Sequence, residues 1–207
     1  MEVKEQILKV SRELFYKHGL KRVTVSEICS ELRISKKTFY DIFSQKEDLI
    51  RENLREMETT FPTIDLSLHF LDNYKFISNF PMDEVRIKQN MDFFYDLSKY
   101  YPLLMEEHQA IMRTKFLDTF LKLVSLGRKE GYIRENFNDF FVAHFIYSSI
   151  HSGCDRLAKE LNMRPVEFQK NLLSFLTYAT NTPKGIAFFE ENVAQQKPKT
   201  GMKSEQN

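Results

Sequence analysis

The chain has 207 residues, 42% of them hydrophobic, with six Gly and six Pro. That length holds one ordinary domain or two small ones, and that composition supports a buried core rather than general disorder. So few Gly and Pro argue against turn-rich all-β folds and glycine-dense nucleotide-binding folds, and a formal net charge of +1 confines any nucleic-acid signal to a local patch. Two cysteines, Cys29 and Cys154, are too few for a disulfide framework or a four-cysteine zinc site. The segment Met1-Glu2-Val3-Lys4 is not an apolar leader, and no run approaches the ~20 apolar residues that span a bilayer. The expectation is a soluble, cytoplasmic protein in a reducing compartment.

Apolar residues recur at helical spacing along almost the whole chain. Val3, Ile7, Val10, Leu14 and Phe15 form a first stripe, closed by Gly19. Thr24-Val25-Ser26-Glu27 is a capping box that predicts a second helix from about Val25 to Leu32. Ser35 caps a short third helix with Phe39, Ile42 and Phe43 facing inward. Ser44-Gln45-Lys46-Glu47 is a further capping box, opening a helix through Leu49, Ile50, Leu54 and Met57. Beyond it, Pro62 and Pro81 bracket one helix, and another runs from about Met82 to Tyr100. Pro102 starts a long one ending near Gly127 or Gly131, and Asn138 or Asp139 caps the next. Pro165 and Pro183 open the last two, and residues 195–207 read as a frayed polar tail.

Helix, three-residue turn, helix is the spacing of a helix-turn-helix. Residues 1–46 hold ten Lys or Arg against six Asp or Glu, while the remainder carries a net −3, so one end is basic and the body acidic. At ~100° per residue, Lys37 and Asp41 lie opposite the buried side of the third helix and are assigned to base edges. Lys36, Thr38 and Tyr40 flank them and suit phosphate, as do Thr24 and Ser26 at the start of the second helix and Lys46 at the start of the fourth.

Residues 7–51 resemble the DNA-binding domain of the TetR/AcrR transcriptional regulators. The resemblance rests on Leu32-Arg33-Ile34-Ser35-Lys36-Lys37-Thr38-Phe39-Tyr40-Asp41-Ile42-Phe43 and on Lys46-Glu47-Asp48-Leu49. Cys29 stands where that family usually has Ala, Arg33 where Gly is usual, and Lys37 where Gly is common. The resemblance implies an all-α fold: a three-helix DNA-binding domain over residues 1–46, then a helical effector-binding and dimerisation domain over 47–194. It also implies that two long helices, about 139–160 and 165–181, pair across a two-fold axis. The first carries the small residues Ser148, Ser149, Ser152 and Gly153, and the second carries Phe168, Leu172, Phe175 and Leu176. A dimer also follows from the palindromic half-sites that two-fold proteins read.

Sixteen of the 19 Phe follow Thr60. Phe70, Phe93, Phe94, His108, Met112, Phe116, Phe120 and Tyr147 are the residues expected to line a pocket for a small apolar effector, although such stripes also serve as plain core. His144, His151, Cys154 and Asp155 lie near one helical face, but a further metal ligand is missing. Neither a nucleophile elbow, a phosphate-cradling glycine loop nor a zinc-protease motif is present, so neither catalysis nor a cofactor is expected. The reading is a dimeric, ligand-responsive transcriptional regulator, a repressor of a palindromic operator. The alternative is a helical metal- or thiol-sensing protein, or a helical enzyme, with an incidental helix-turn-helix.

Overall fold

Polar side chains close the ends of the amino-terminal helices where the sequence offers them. The computed structural model describes residues 2–78, 84–151 and 154–196. Among them regular structure is helical: α1 Val3–His18, α2 Val25–Leu32, α3 Lys36–Tyr40, α4 Lys46–Thr59, α5 Phe70–Ser78, α6 Glu84–Tyr100, α7 Pro102–Lys129, α8 Asp139–His151, α9 Cys154–Glu160, α10 Pro165–Thr180 and α11 Pro183–Gln196. The Thr24 hydroxyl accepts the Glu27 N–H at 3.2 Å and starts α2. The Ser35 hydroxyl accepts the Thr38 N–H at 3.0 Å and starts α3. The fourth helix departs by one residue from the expected box. Its N-cap is Gln45, whose N–H is accepted by Asp48 at 3.1 Å. Two adjacent acids, Glu47 and Asp48, follow Ser44 and Gln45, and only the pair that meets in space sets the frame.

Between α2 and α3 the chain makes a two-bond Schellman turn. The Ile34 N–H reaches the Cys29 carbonyl at 3.0 Å, and the Arg33 N–H reaches that of Ser30 at 3.2 Å. Arg33 takes the left-handed conformation the turn needs, with φ 54° and ψ 38°. The third helix then stops at Tyr40, so its 100° period does not carry to Ile42. Ile42 is 36% exposed, against the inward place expected for it, while Phe39 and Phe43 are buried.

The chain divides into two compact units. The first comprises Met1–Thr63 and Phe76–Thr119. Its core joins Ile7 and Phe15 of α1, Ile28 and Cys29 of α2, Phe39 of α3, Leu49, Ile50 and Leu54 of α4, and Phe93 and Leu97 of α6. One polar cluster sits inside it. The buried Asn53 amide donates to Ser11 Oγ and to the Leu49 carbonyl, both at 3.0 Å, and its oxygen accepts from Arg12 Nε at 3.2 Å. With donors and acceptor all engaged, this amide is held at little net cost and ties α1 to α4.

The second unit comprises Ile64–Lys75 and Phe120–Asn207. Phe70, Val124 and Ile133 form its buried cluster, with Tyr132 stacked on Phe70 at 5.2 Å. A short antiparallel bridge joins Ile133 to Asn181. It is clasped by the Arg134 N–H on the Thr180 carbonyl and the Thr182 N–H on the Tyr132 carbonyl, each at 2.9 Å. Gly185 lies so close to the Tyr132 carbonyl that a Cβ there would collide with backbone. Arg128 holds the α7–α8 link, donating to both oxygens of Asp139 at 2.8 and 2.7 Å. The expected single helix over 139–160 is seen as α8 and α9, with Ser152 and Gly153 outside the described residues. α11 runs to Gln196, two residues into the expected tail, and residues 197–207 lie outside the description.

Arg33 should reveal the strain of its turn. A left-handed φ costs an L-residue about 1–2 kcal/mol, and the added freedom of glycine in the unfolded chain returns about 0.4–1 kcal/mol. Arg33→Gly should therefore leave stability unchanged or raise it by up to about 1.6 kcal/mol. Urea unfolding of the two proteins checks this, and a clear loss would contradict the strain.

Candidate nucleic-acid interface

Fixing a five-residue helix so that it can read anything is the first task of this site. α3 is anchored from beneath by Phe39, which is fully buried, and by Phe43, 5.7 Å from it between ring centroids. Tyr40 stands edge-on to Phe39 and is half exposed. On the other side Lys36, Lys37 and Asp41 are exposed, and Thr38 is half-buried with its hydroxyl 2.8 Å from that of Ser35. Asp41 follows the last helical residue but keeps right-handed geometry, and its N–H bonds the Lys37 carbonyl at 2.8 Å. Lys37 and Asp41 therefore still stack one turn apart on the outer face.

Thr24 and Ser26 are exposed at the start of α2. The Thr24 oxygen already accepts one N–H, so its hydroxyl proton is what remains for an outside partner. Ser26, in the first turn, offers its hydroxyl beside the free N–H groups there.

Lys46 differs from the other expected contacts. Its ammonium donates to the Leu20 carbonyl and lies over the Phe15 ring at 5.7 Å. Burial lowers its pKa below the usual lysine value, while Glu47, Asp96 and Glu27 push the other way. One of its three donors is thus spent on holding the loop that leads into α2. Asp96 of α6 holds the same loop, accepting the Lys21 N–H at 3.4 Å and filling the space a side chain on Gly19 would need.

The eight residues expected around an effector are shared between the two units. Phe93, Phe94, His108, Met112 and Phe116 belong to the first unit, and Phe70, Phe120 and Tyr147 to the second. In the first unit His108 is buried, stacked on Phe94 at 5.4 Å, with Nδ1 2.9 Å from Glu58 Oε1. Glu58 and Asn53 are the buried polar residues of α4 that the sequence reading passed over. Their signal was present: Ile50, Leu54 and Glu58 recur every four residues, so a carboxylate sits on an apolar face. The first unit also carries a cleft of about 350 Å³ between the end of α1 and α6, lined by Tyr16, Lys21, Asp92, Tyr95, Asp96, Tyr100 and neighbours, with none of those eight residues in its wall.

His144 is exposed, and the side chains of His151, Cys154 and Asp155 lie outside the described residues. Among the described residues no three His, Cys, Asp or Glu come together as metal ligands. None of the described helices is long and apolar enough to cross a membrane.

Replacing Lys46 by Met keeps the stem over Phe15 and removes the donor to Leu20. The expected loss of stability is about 1 kcal/mol, read from chemical denaturation. No change in midpoint would mean that the Leu20 contact contributes nothing.

Residues 7–52 match the family described as bacterial regulatory proteins, tetR family. The HTH-type transcriptional regulator QacR of Staphylococcus aureus is 26% identical over 202 residues, covering 93% of this chain and 89% of that one. The crystal structure of Escherichia coli NemR in its reduced form superposes with a TM-score of 0.60 at 17% identity, covering 88% of this chain and 99% of the other. SmeT, the repressor of the Stenotrophomonas maltophilia multidrug efflux pump SmeDEF, gives 0.55 at 15%, covering 88% and 92%. The last two likenesses concern the fold, the first two the sequence of a DNA-binding regulator, and the capped α2–turn–α3 unit described above lies inside the matched segment. Residues 7–52 are thus similar to the DNA-binding segment of the tetR family of bacterial regulatory proteins, and most of the chain is similar to a helix-turn-helix transcriptional regulator.

Proposed function

We propose that the protein is a repressor that binds a palindromic operator as a homodimer and leaves it when a small apolar effector binds. The observation that carries this reading is α3, rigidly seated by Phe39 and presenting Lys36, Lys37, Tyr40 and Asp41 outward. In this reading residues 1–46 are the DNA-binding domain and 47–194 the effector and dimerisation domain, with no catalytic role, acting in the cytoplasm. Lys37 and Asp41 read base edges, a Lys donating to guanine and an Asp accepting from cytosine. Lys36, Thr38, Tyr40, Thr24, Ser26 and Lys46 hold phosphates and set the register. The repressor role is supported by the likeness in fold to SmeT, itself a repressor.

The dimer is supported by an apolar surface on the carboxyl-terminal helices. Phe140, Phe141 and Phe145 of α8 and Leu173, Phe175 and Tyr178 of α10 are exposed. Phe141 and Phe145 stack on each other at 6.4 Å while facing solvent. Six large apolar residues at the surface of two helices favour a covered face over scattered exposure. The stripe expected for α10 divides here. Phe168 and Leu176 are buried within the unit, Leu172 packs against the Ala158–Phe168 cluster, and Phe175 is 65% exposed.

The effector would be drawn from apolar or aromatic molecules, since the residues proposed to meet it are mostly Phe. It shifts the protein toward a spacing of the two α3 helices that cannot fit both half-sites. Linkage then requires that operator DNA weaken effector binding by the same factor.

Two measurements test this reading. With an operator selected from genomic fragments, Lys37→Ala or Asp41→Ala should relax preference at one position per half-site, by ~1–3 kcal/mol. Equal weakening against every single-base variant would mean that α3 enters the groove on another face. In sedimentation at micromolar concentration, the protein should run at twice its 24.7 kDa. Phe141→Asp with Phe175→Asp should yield monomers that lose the operator, whereas Leu172→Ala should mainly lower stability. A wild-type monomer would reject the dimer.

A further inference from the structure

Four described residues have a left-handed φ, and three are types that accept it: Gly19 at 83°, Gly131 at 77° and Asn162 at 52°. The fourth is Arg33, at 54°, in the turn of the helix-turn-helix. Its Cβ makes that conformation unfavourable, and arginine lacks the short side-chain bonding that eases asparagine into it. A strain that glycine would remove, kept at the DNA-reading end, points to a use for the side chain.

The side chain itself supports this. Arg33 is exposed, and among the described residues its guanidinium makes no hydrogen bond, ion pair or ring contact. By contrast, Arg12, Arg51 and Arg55 of the same unit are engaged by Glu56, Glu107 and Glu52. Arg33, Lys36 and Lys37 place three exposed cations within five consecutive residues. Their mutual repulsion is relieved by a polyanion laid along them.

We propose that Arg33 is a phosphate clamp, its planar guanidinium donating two parallel hydrogen bonds to one backbone phosphate of the DNA beside the step that α3 reads. The proposal rests on the DNA-binding reading above and adds a contact to it. A guanidinium fork matches two phosphate oxygens at once, which an ammonium does not. The contact is blind to sequence, so it strengthens operator and random DNA alike.

The test compares wild type, Arg33→Gly, Arg33→Lys and Lys37→Ala on the selected operator and on a mixed-sequence duplex, across a salt series, with thermal unfolding in parallel. Arg33→Gly should melt at or above wild type and yet bind both duplexes roughly tenfold or more weakly. Its plot of log affinity against log salt should be shallower by about 0.9 per subunit. Arg33→Lys should restore that slope but only part of the affinity. If Arg33→Gly melts lower, Arg33→Gln, which keeps the strained backbone and removes only the charge, decides: an unchanged slope rejects the clamp. Wild-type affinity and slope in Arg33→Gly, while Lys37→Ala weakens the operator, would reject the clamp and leave the DNA-binding reading standing. Loss on the operator alone would make Arg33 a base contact and overturn the proposal. Wild-type protein that binds neither duplex would end both.

Discussion

A helix of five residues has no stability of its own, because nucleating a turn costs more than so few hydrogen bonds return. The helix proposed to read DNA, α3, is of that length, so everything it presents depends on the burial of Phe39. Fully burying a Phe contributes roughly 1.5–3 kcal/mol, and the Ser35 cap about 1 more. These two anchors set the rotation of α3 about its axis, and that rotation places Lys37 and Asp41 outward and Phe43 inward. The helix is held in place because its underside belongs to the core shared with α1, α2 and α4.

The loop before α2 is governed by charge. Lys46 of α4 and Asp96 of α6 grip opposite polar groups of the same short segment, the Leu20 carbonyl and the Lys21 N–H. A backbone stretch with few side-chain contacts of its own is thereby tied to two helices. This ties the entry of α2 to the position of α6, a helix whose Phe93 and Phe94 are among the residues proposed to meet the effector. A ligand-driven shift of α6 would be felt at the loop through Asp96, by a carboxylate whose acceptor atom either reaches the Lys21 N–H or does not.

In the carboxyl-terminal helices the governing question is which apolar residues the subunit covers by itself. α8 and α10 carry more of them than one unit buries. Phe168 and Leu176 turn inward, while Phe141, Phe145 and Phe175 remain at the surface. Each exposed ring left in water would be unfavourable in a monomer, and pairing such faces is how dimers of helical proteins gain stability.

The sequence by itself determined the local punctuation. Thr24 and Ser35 are caps wherever their neighbours are helical, because a hydroxyl two or three residues before a free N–H closes the turn without outside help. The place of the turn at Arg33 was likewise legible, from the spacing of the two helices, while its left-handed φ came from the structure. The tertiary structure decided what periodicity leaves degenerate. An apolar stripe does not say whether it faces its own core or a partner, so Leu172 and Phe175 could not be told apart. A lysine in a first turn does not say whether its ammonium reaches a phosphate or a carbonyl 26 residues away, as Lys46 does with Leu20. Nor does a period survive the end of its helix, which is why Ile42 came out exposed. Caps and turns are made by neighbours in the chain, whereas burial and long-range polar pairing depend on which helices meet, and that is settled only when the whole core packs.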